Sequence, residues 1–251
     1  MPFLKCLKIS SSKEQSERTK RNGLRFSIYS PQKKVLFKAH YKGEWKDDRK
    51  HGKGIEVDRY SNGWMYEGHW FCDRKHGYGV LSKISKDGSV CKVYAGDWMI
   101  GKKEGYGNFT YDNGDYYEGD FQRNKRHGHG RIWYKNGDYY QGFWKNDFPH
   151  GKGMLIKGNG NRYEGNFVDG KKNEFGTFYH LDTGQCQYGY WSNDSCVDSI
   201  MRDISWRQSA LHPTAYAIPK INISTILVRI YVHFKFRDST KLDQLYQHIC
   251  F

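Results

Sequence analysis

The chain has 251 residues, a formal net charge of +14 and many glycines and aromatic residues, with 28 Gly, 20 Tyr, 14 Phe and 8 Trp. It contains no apolar run of about 18 residues and no apolar stretch behind its first residues, so we expect neither a membrane-spanning segment nor a secretory signal peptide. The six cysteines show no paired spacing, which predicts reduced thiols in the cytoplasm rather than a disulfide framework.

The chain begins with a basic segment. Residues 1–40 contain ten Lys or Arg and two Glu, whereas residues 41–197 contain 24 basic and 21 acidic residues. We predict a basic, flexible arm over residues 1–40. Two interpretations of it stay open: a solvated lead-in, or an anchor for an acidic protein surface, anionic lipid or nucleic acid. The candidate residues of an electrostatic anchor are Lys20, Arg21, Arg25, Lys33, Lys34 and Lys38.

A frame of the form aromatic-x-Gly-x-aromatic then recurs along the chain. Its copies begin at Tyr41, Tyr66, Tyr94, Tyr117, Tyr140 and Tyr163, and a weaker seventh copy begins at Gln187. The central glycines are separated by 25, 28, 23, 23, 23 and 24 residues. Such a period is typical of a repeat array, which presents a long surface instead of one central pocket.

Two further glycine patterns predict that each unit is a pair of strands. A Gly-x-Gly pair begins nine residues after the central glycine in each of the first five units, as in Gly128-His-Gly130. Asn-Gly or Asp-Gly follows later in these units, as in Asn136-Gly137, and such dipeptides favour tight turns. Since no window of the repeat region has a helical apolar stripe, we predict an all-β array.

Side-chain alternation within these strands predicts two different faces. In the fourth unit, Tyr117, Gly119 and Phe121 fall on one side of the strand, with Glu118 and Asp120 on the other. Aromatic rings on one strand can cover the bare backbone of glycines on the next. One face is therefore expected to be aromatic and glycine-rich, and the other mixed and charged.

The Tyr-Glu-Gly-x-Trp frame, the Gly-x-Gly pairs and the Asn-Gly turns together resemble membrane occupation and recognition nexus (MORN) repeats. The resemblance implies an elongated, single-layer antiparallel sheet of about seven stacked hairpins. The corresponding repeats cover 41–63, 66–88, 94–116, 117–139, 140–162, 163–185 and 187–208, followed by an irregular tail over 209–251. Glu174 replaces a Gly-x-Gly glycine, and the seventh unit departs further from the pattern, so we interpret it as a terminal cap.

The resemblance also implies a function. It implies a non-catalytic scaffold in the cytoplasm of male germ cells, associated with the surface of the forming acrosomal vesicle or with the flagellum. We expect other proteins to bind the aromatic face or the sheet edge, because Tyr and Trp side chains commonly anchor such contacts. Fourteen strands at about 4.8 Å each would give a surface of roughly 65 to 70 Å. The candidate partner-binding residues are Tyr66, Trp70, Tyr94, Trp98, Tyr117, Phe121, Tyr140, Trp144, Tyr163 and Phe167.

Two other classes of function are weighed against this one. A peripheral adaptor would bind anionic lipid through the basic arm, but the array is nearly neutral and shows no amphipathic anchor helix. Nucleic-acid binding would fit the sequence pI of about 9.4, yet the basic residues do not cluster among the aromatic ones. We therefore keep the lipid adaptor as the alternative and expect no nucleic-acid partner.

The residues that suggest chemistry are explained by the repeat. Histidines precede four of the Gly-x-Gly pairs: His51, His76, His127 and His150. Equivalent positions in successive hairpins are about 10 Å apart, too far for these side chains to share a metal whose ligands lie about 2 Å from it. The Gly-x-Gly pairs lack the helix and the Lys-Ser/Thr end of a phosphate loop. Glu67, Glu118 and Glu164 are expected to be solvated or paired across strands, so we expect no enzyme activity, cofactor or metal.

The tail contains a β-branched, apolar stretch over residues 221–234, after a linker with Pro213 and Pro219. Three interpretations stay open for this stretch. It is a strand or hairpin that covers the exposed edge of the array, an interaction segment, or an isoform-specific tail that packs poorly and promotes aggregation.

Overall fold

The computed structural model describes residues 22–29, 39–58, 63–85, 88–205 and 215–220. Fifteen β-strands lie in these ranges, and their all-β architecture confirms the predicted fold class. The strands are β1 (Gly23–Tyr29), β2 (Ala39–Lys46), β3 (Arg49–Asp58), β4 (Trp64–Phe71), β5 (Arg74–Ile84), β6 (Val90–Met99), β7 (Lys102–Thr110), β8 (Tyr116–Gln122), β9 (Lys125–Trp133), β10 (Tyr139–Lys145), β11 (Phe148–Ile156), β12 (Arg162–Val168), β13 (Lys171–His180), β14 (Gln185–Ser192) and β15 (Ser195–Asp203).

The strands form one open antiparallel sheet in which each strand pairs with the next along the chain. Each repeat unit contributes one hairpin: its first strand carries the aromatic frame and its second strand carries the Gly-x-Gly pair, as in β8 and β9. The degenerate seventh unit forms the last hairpin, β14 and β15. Fourteen interstrand spacings of about 4.8 Å give the array a length of roughly 67 Å.

Two kinds of turn connect the strands. Within a hairpin, two residues with positive φ form the turn, as at Arg123 and Asn124, whose φ angles are 50° and 73°. Such turns match the twist of paired antiparallel strands. Between hairpins lie the predicted Asn-Gly turns, one of which is closed by the N–H of Gly137, which donates to the carbonyl of Tyr134 over 2.9 Å. Five of the seven tight turns in the described hairpins contain no glycine, so the glycine pattern of the sequence predicts only the turns between hairpins.

A row of thirteen glycines crosses the sheet in register. Gly119 pairs with Gly107 on one side and with Gly130 on the other, and the same pairing continues from Gly43 to Gly189. A Cβ placed on Gly130 would lie 2.2 Å from the hydroxyl oxygen of Tyr117. The row therefore makes space for the tyrosine rings, which lie flat against the backbone there, as the sequence predicts.

The first strand of the sheet lies inside the segment assigned to the flexible arm. Residues Gly23–Tyr29 form β1 and pair with β2 from Gly23 opposite Trp45 to Tyr29 opposite Ala39. This pairing covers the edge that the first repeat would otherwise leave open. The arm prediction therefore does not hold for residues 23–29. Among the described residues, no helix has the length and apolar character needed to cross a bilayer.

Candidate functional site

The rings that the sequence assigns to a partner-binding face lie in the core of the array. Tyr117 is fully buried and Trp98 is only 6% exposed, and the other eight fall between these values. A partner cannot reach them in the folded sheet, because each ring is covered by its neighbours and by the backbone of the glycine row. The ten buried residues are Tyr66, Trp70, Tyr94, Trp98, Tyr117, Phe121, Tyr140, Trp144, Tyr163 and Phe167.

These rings form a continuous ladder of edge-to-face contacts. The ring centroid of Tyr117 lies 5.1 Å from that of Phe121 in the same unit and 5.3 Å from that of Trp144 in the next unit. The contacts repeat from Tyr41 at one end to Trp191 at the other. Each such pair contributes about 0.5 to 1.5 kcal/mol beyond the area that it buries. The ladder therefore adds side-chain contacts to the backbone pairing that joins one hairpin to the next.

The tyrosine hydroxyls of the ladder and the indole N–H groups of Trp70, Trp98 and Trp144 find partners inside the array. The hydroxyl of Tyr117 donates to the carbonyl of Asp120 over 3.0 Å, and the indole N–H of Trp144 donates to the carbonyl of Gly130 over 3.1 Å. The same tyrosine bond recurs in the other five frames that begin with tyrosine. Burial raises the pKa of Tyr117, so its hydroxyl keeps the proton that it donates.

Cationic side chains cover the ladder on its outer side. Lys103 places its Nζ atom 3.9 Å from the ring centroid of Phe109, and the Arg126 guanidinium lies 4.2 Å from that of Trp144. Burial lowers the pKa of Lys103 to about 8, although contact with ring faces favours the charged form. Sequence reasoning missed this position, but a signal exists: it lies two residues before each Gly-x-Gly pair. Its occupants are Lys50, Lys75, Lys103, Arg126, Pro149 and Lys172.

Of the predicted electrostatic anchor residues, only Arg25 is described. It is exposed on β1, and its Nε atom donates to the carbonyl of Asn22 over 3.1 Å. The other five lie outside the described residues: Lys20, Arg21, Lys33, Lys34 and Lys38.

The opposite side of the sheet, which we call the variable face, carries the residues between the frame positions. The residue between the two glycines of each Gly-x-Gly pair points to this side, as do the two residues that flank the central glycine of each frame. Several of these positions hold exposed aromatic side chains, and Phe175 and Tyr188 are 61% and 51% exposed. The exposed aromatic residues of this set are Tyr78, Tyr106, Phe143, Phe175, Tyr188 and Tyr190.

An open groove of about 1010 Å³ runs along the variable face from the third unit to the seventh. Four of the exposed aromatic residues line it: Tyr106, Phe143, Phe175 and Tyr188. The Phe175 and Tyr188 rings stack with centroids 6.4 Å apart and an interplanar angle of 21°. None of these rings belongs to the ladder. They therefore form an apolar surface that the fold does not need for its own core.

Both carboxylates in the groove are paired with arginine side chains. The Arg131 guanidinium lies 3.3 Å from the Glu118 carboxylate, and that carboxylate also accepts a hydrogen bond from the hydroxyl of Tyr106. Burial and this hydrogen bond together raise the pKa of Tyr106 to about 12. Glu164 likewise pairs with Arg162. The expectation of cross-strand pairing thus holds for Glu118, and Glu164 pairs within its own strand.

Glu67 and two of the recurring histidines, His51 and His76, are held by contacts within the sheet. Burial raises the pKa of the Glu67 carboxyl, and Lys92 opposes that shift. The rings of His51 and His76 pack against Phe71 with centroids 5.3 and 5.6 Å away. In the described part of the chain, no three His, Cys, Asp or Glu side chains converge as metal ligands would.

The sheet, the ladder and the groove define a class: a repeat protein whose core runs along one face of the sheet and whose variable residues line the other. A comparison with protein families matches the MORN repeat over residues 41–59, 66–87, 94–116, 117–139, 140–162 and 163–180. The chain belongs to the MORN repeat family. A comparison with curated proteins found no match. MORN repeats bind proteins or membranes, and proteins built from them are generally non-enzymatic scaffolds.

Proposed function

We propose that this chain is a non-enzymatic scaffold that binds protein segments in the groove of the variable face. The observation that carries the proposal is the line of exposed rings, Tyr106, Phe143, Phe175 and Tyr188, which have no role in the ladder. Aromatic side chains of this kind dominate the energy of protein–protein contacts. The groove crosses five units, so one partner segment can contact several hairpins at once.

The charge of the groove favours a protein partner over a lipid headgroup. Its lining includes the carboxylates of Glu118 and Glu164 as well as the cations of Arg131 and Lys152. A surface for anionic lipid instead collects Lys and Arg without compensating carboxylates. Lipid binding through the basic arm therefore stays the alternative function, and it would use residues other than the groove.

The cellular setting that we propose is the male germ cell, with the cytoplasmic surface of the forming acrosomal vesicle or the flagellum as the place of action. This proposal is supported by the resemblance seen in the sequence, and it determines which extract is used to search for partners.

The test compares partner capture by the wild-type chain and by two variants. Phe175→Ala removes an exposed ring from the groove, and Phe148→Ala removes a ring of similar exposure, 53%, at a hairpin turn outside it. Crosslinking and capture from testis extract should recover defined proteins with the wild type and with Phe148→Ala, and fewer with Phe175→Ala. Equal recovery with all three would contradict the groove assignment. Absence of partners together with salt-sensitive binding of the full chain to anionic vesicles would favour the lipid adaptor.

A further inference from the structure

The segment after the last hairpin returns to the variable face. Residues 215–220 read Ala-Tyr-Ala-Ile-Pro-Lys and form no strand or helix. The indole N–H of Trp133 on β9 donates to the carbonyl of Pro219 over 2.7 Å, although the two residues are 86 positions apart. The segment therefore reaches back from the end of the sheet to its fourth unit.

A second contact lies at Tyr216. The Arg162 guanidinium on β12 lies 4.8 Å from the ring centroid of Tyr216, and the Tyr179 ring on β13 lies 5.8 Å away at an angle of 64°. Tyr216 is half-buried by these contacts, while the other five residues of the segment stay exposed. One aromatic side chain and one backbone carbonyl thus attach the segment to the sheet.

We infer that Trp133, Arg162 and Tyr179 form a binding site for extended peptides of the form Tyr-x-x-Pro, and that residues 215–220 occupy this site within the same chain. We call the three residues the tail site. Arg162 and Tyr179 receive the tyrosine ring of the peptide, and Trp133 receives the carbonyl of its proline. The Trp133 ring is itself held by Tyr116 and Tyr139, with centroids 5.5 and 5.2 Å away.

The contacts of the segment span two hairpins. Trp133 lies on β9 of the fourth hairpin, whereas Arg162 and Tyr179 lie on β12 and β13 of the sixth. The three residues from Tyr216 to Pro219 advance at most about 10 Å along the backbone, and β9 and β12 are about 14 Å apart. The segment is therefore extended across the strands, and the long side chains of Tyr216 and Arg162 bridge the remaining distance. An indole N–H that donates to a peptide carbonyl beside proline is also the kind of contact that aromatic-lined grooves make with proline-rich ligands.

The tail site adjoins the groove without belonging to it. Trp133 and Tyr179 lie two residues along their strands from Arg131 and Thr177, which line the groove. Because five residues of the attached segment are exposed, the segment buries little surface and can be displaced by a competing peptide in trans. The site does not depend on the function proposed for the groove, although a peptide bound there would approach the groove.

The experiment measures binding of a labelled peptide with the sequence of residues 213–221 to the full-length chain by fluorescence anisotropy. Tyr216→Ala removes the side chain that holds the resident segment and leaves the tail site intact. We expect this variant to bind the peptide at least about 10-fold more tightly than the wild type, because the resident segment competes at a high effective concentration. Adding Arg162→Ala or Trp133→Phe to Tyr216→Ala should abolish that gain.

Three controls make the result decisive. A peptide with alanine in place of its tyrosine and its inner proline should not bind. Tyr188→Ala, which alters the groove alone, should leave peptide binding unchanged. In the full chain, Tyr216→Ala should also shift the indole N–H resonance of Trp133, which Trp133→Phe identifies by its loss. Equal peptide binding by the wild type and Tyr216→Ala, no binding to Tyr216→Ala at millimolar peptide, or loss of binding in Tyr188→Ala would each overturn the inference.

Discussion

The two glycines of a Gly-x-Gly pair are required for different physical reasons, and alanine substitutions can separate these reasons. In the fifth unit, Gly151 has a φ of +63°, and a Cβ there would meet only the Cβ of Phe143 at 3.7 Å. Gly153 has no positive φ, but a Cβ there would lie 2.5 Å from the hydroxyl oxygen and 2.7 Å from a ring carbon of Tyr140. The first glycine is needed for its backbone conformation and the second for space.

These distances give the expected costs. Gly151→Ala places an L-residue in the left-handed region of backbone conformation, which lowers the free energy of unfolding by about 1 to 2 kcal/mol. Alanine also restricts the unfolded chain, which offsets about 0.4 to 1 kcal/mol of this loss. We therefore expect a net decrease of about 1 kcal/mol. Gly153→Ala must displace the Tyr140 ring, which costs about 1 to 3 kcal/mol for overpacking and about 1 kcal/mol for each ring contact that is disturbed. Because the Tyr140 ring has two such contacts, with Trp144 and Phe167, we expect a total loss of about 3 to 5 kcal/mol.

Urea unfolding followed by tryptophan fluorescence and circular dichroism measures both losses. In a Tyr140→Ala background the ring is absent, so Gly153→Ala should cost at least about 2 kcal/mol less than in the wild type, whereas Gly151→Ala should cost the same. Gly151→Asn should be less costly than Gly151→Ala, because asparagine tolerates positive φ. Equal costs for the two glycines, or no coupling between residues 140 and 153, would refute the assignment of strain to one and space to the other.

Three further predictions concern single side chains. Glu174→Gly should stabilise the sixth unit by about 1 kcal/mol, because Glu174 has a φ of 63° where the first five units have glycine; a lower unfolding midpoint would contradict this. Trp98→Ala should lower the free energy of unfolding by about 3 to 5 kcal/mol, because it removes a buried ring and its bond to Gly79; a neutral result would argue against the ladder. Lys103 has a folded pKa of about 8 against an ordinary lysine pKa of 10.5, so the unfolded chain holds the proton to higher pH and stability should rise between about pH 8 and 10. We expect a rise of about 1 to 2 kcal/mol, given the solvent contact of the ammonium, and urea titrations should show a smaller rise in Lys103→Met.

Much of the fold could be predicted because the same pattern of aromatic residues and glycines recurs in every unit. The register of Gly119 with Gly107 and Gly130 follows from the spacing of the glycines, and the packing of Tyr117 over Gly130 follows from alternation along the strands. The tight turn at Arg123 and Asn124 could not be predicted from glycine, because these side chains adopt positive φ where the hairpin geometry requires it.

The exposure of the aromatic face could not be inferred from alternation alone. A strand pattern shows which residues share a face, but it does not show that the rings lie across a glycine row and are covered by Lys103 or Arg126. The exposed rings instead lie between the glycines of a Gly-x-Gly pair, as Tyr106 does, or beside the central glycine of a frame, as Phe143 and Tyr188 do. The tail site depends on Tyr216 and Pro219 returning to the sheet, and no local pattern encodes a contact across 86 residues.

The sequential order of the strands determines how the array would respond to a pulling force. A force that pulls the first and last hairpins apart acts perpendicular to the strands. Each hairpin then transmits the whole force to the next one, so the weakest contact between two hairpins breaks first. In the fifth unit Pro149 occupies the position of the covering cation, and among the described residues no cation lies over the Tyr140 ring. The contact between the fifth and sixth hairpins, where the Tyr140 ring meets Phe167, is therefore expected to separate first. Each 23-residue unit that opens would release up to about 80 Å of chain, so a scaffold of this design lengthens in steps and keeps its remaining hairpins folded.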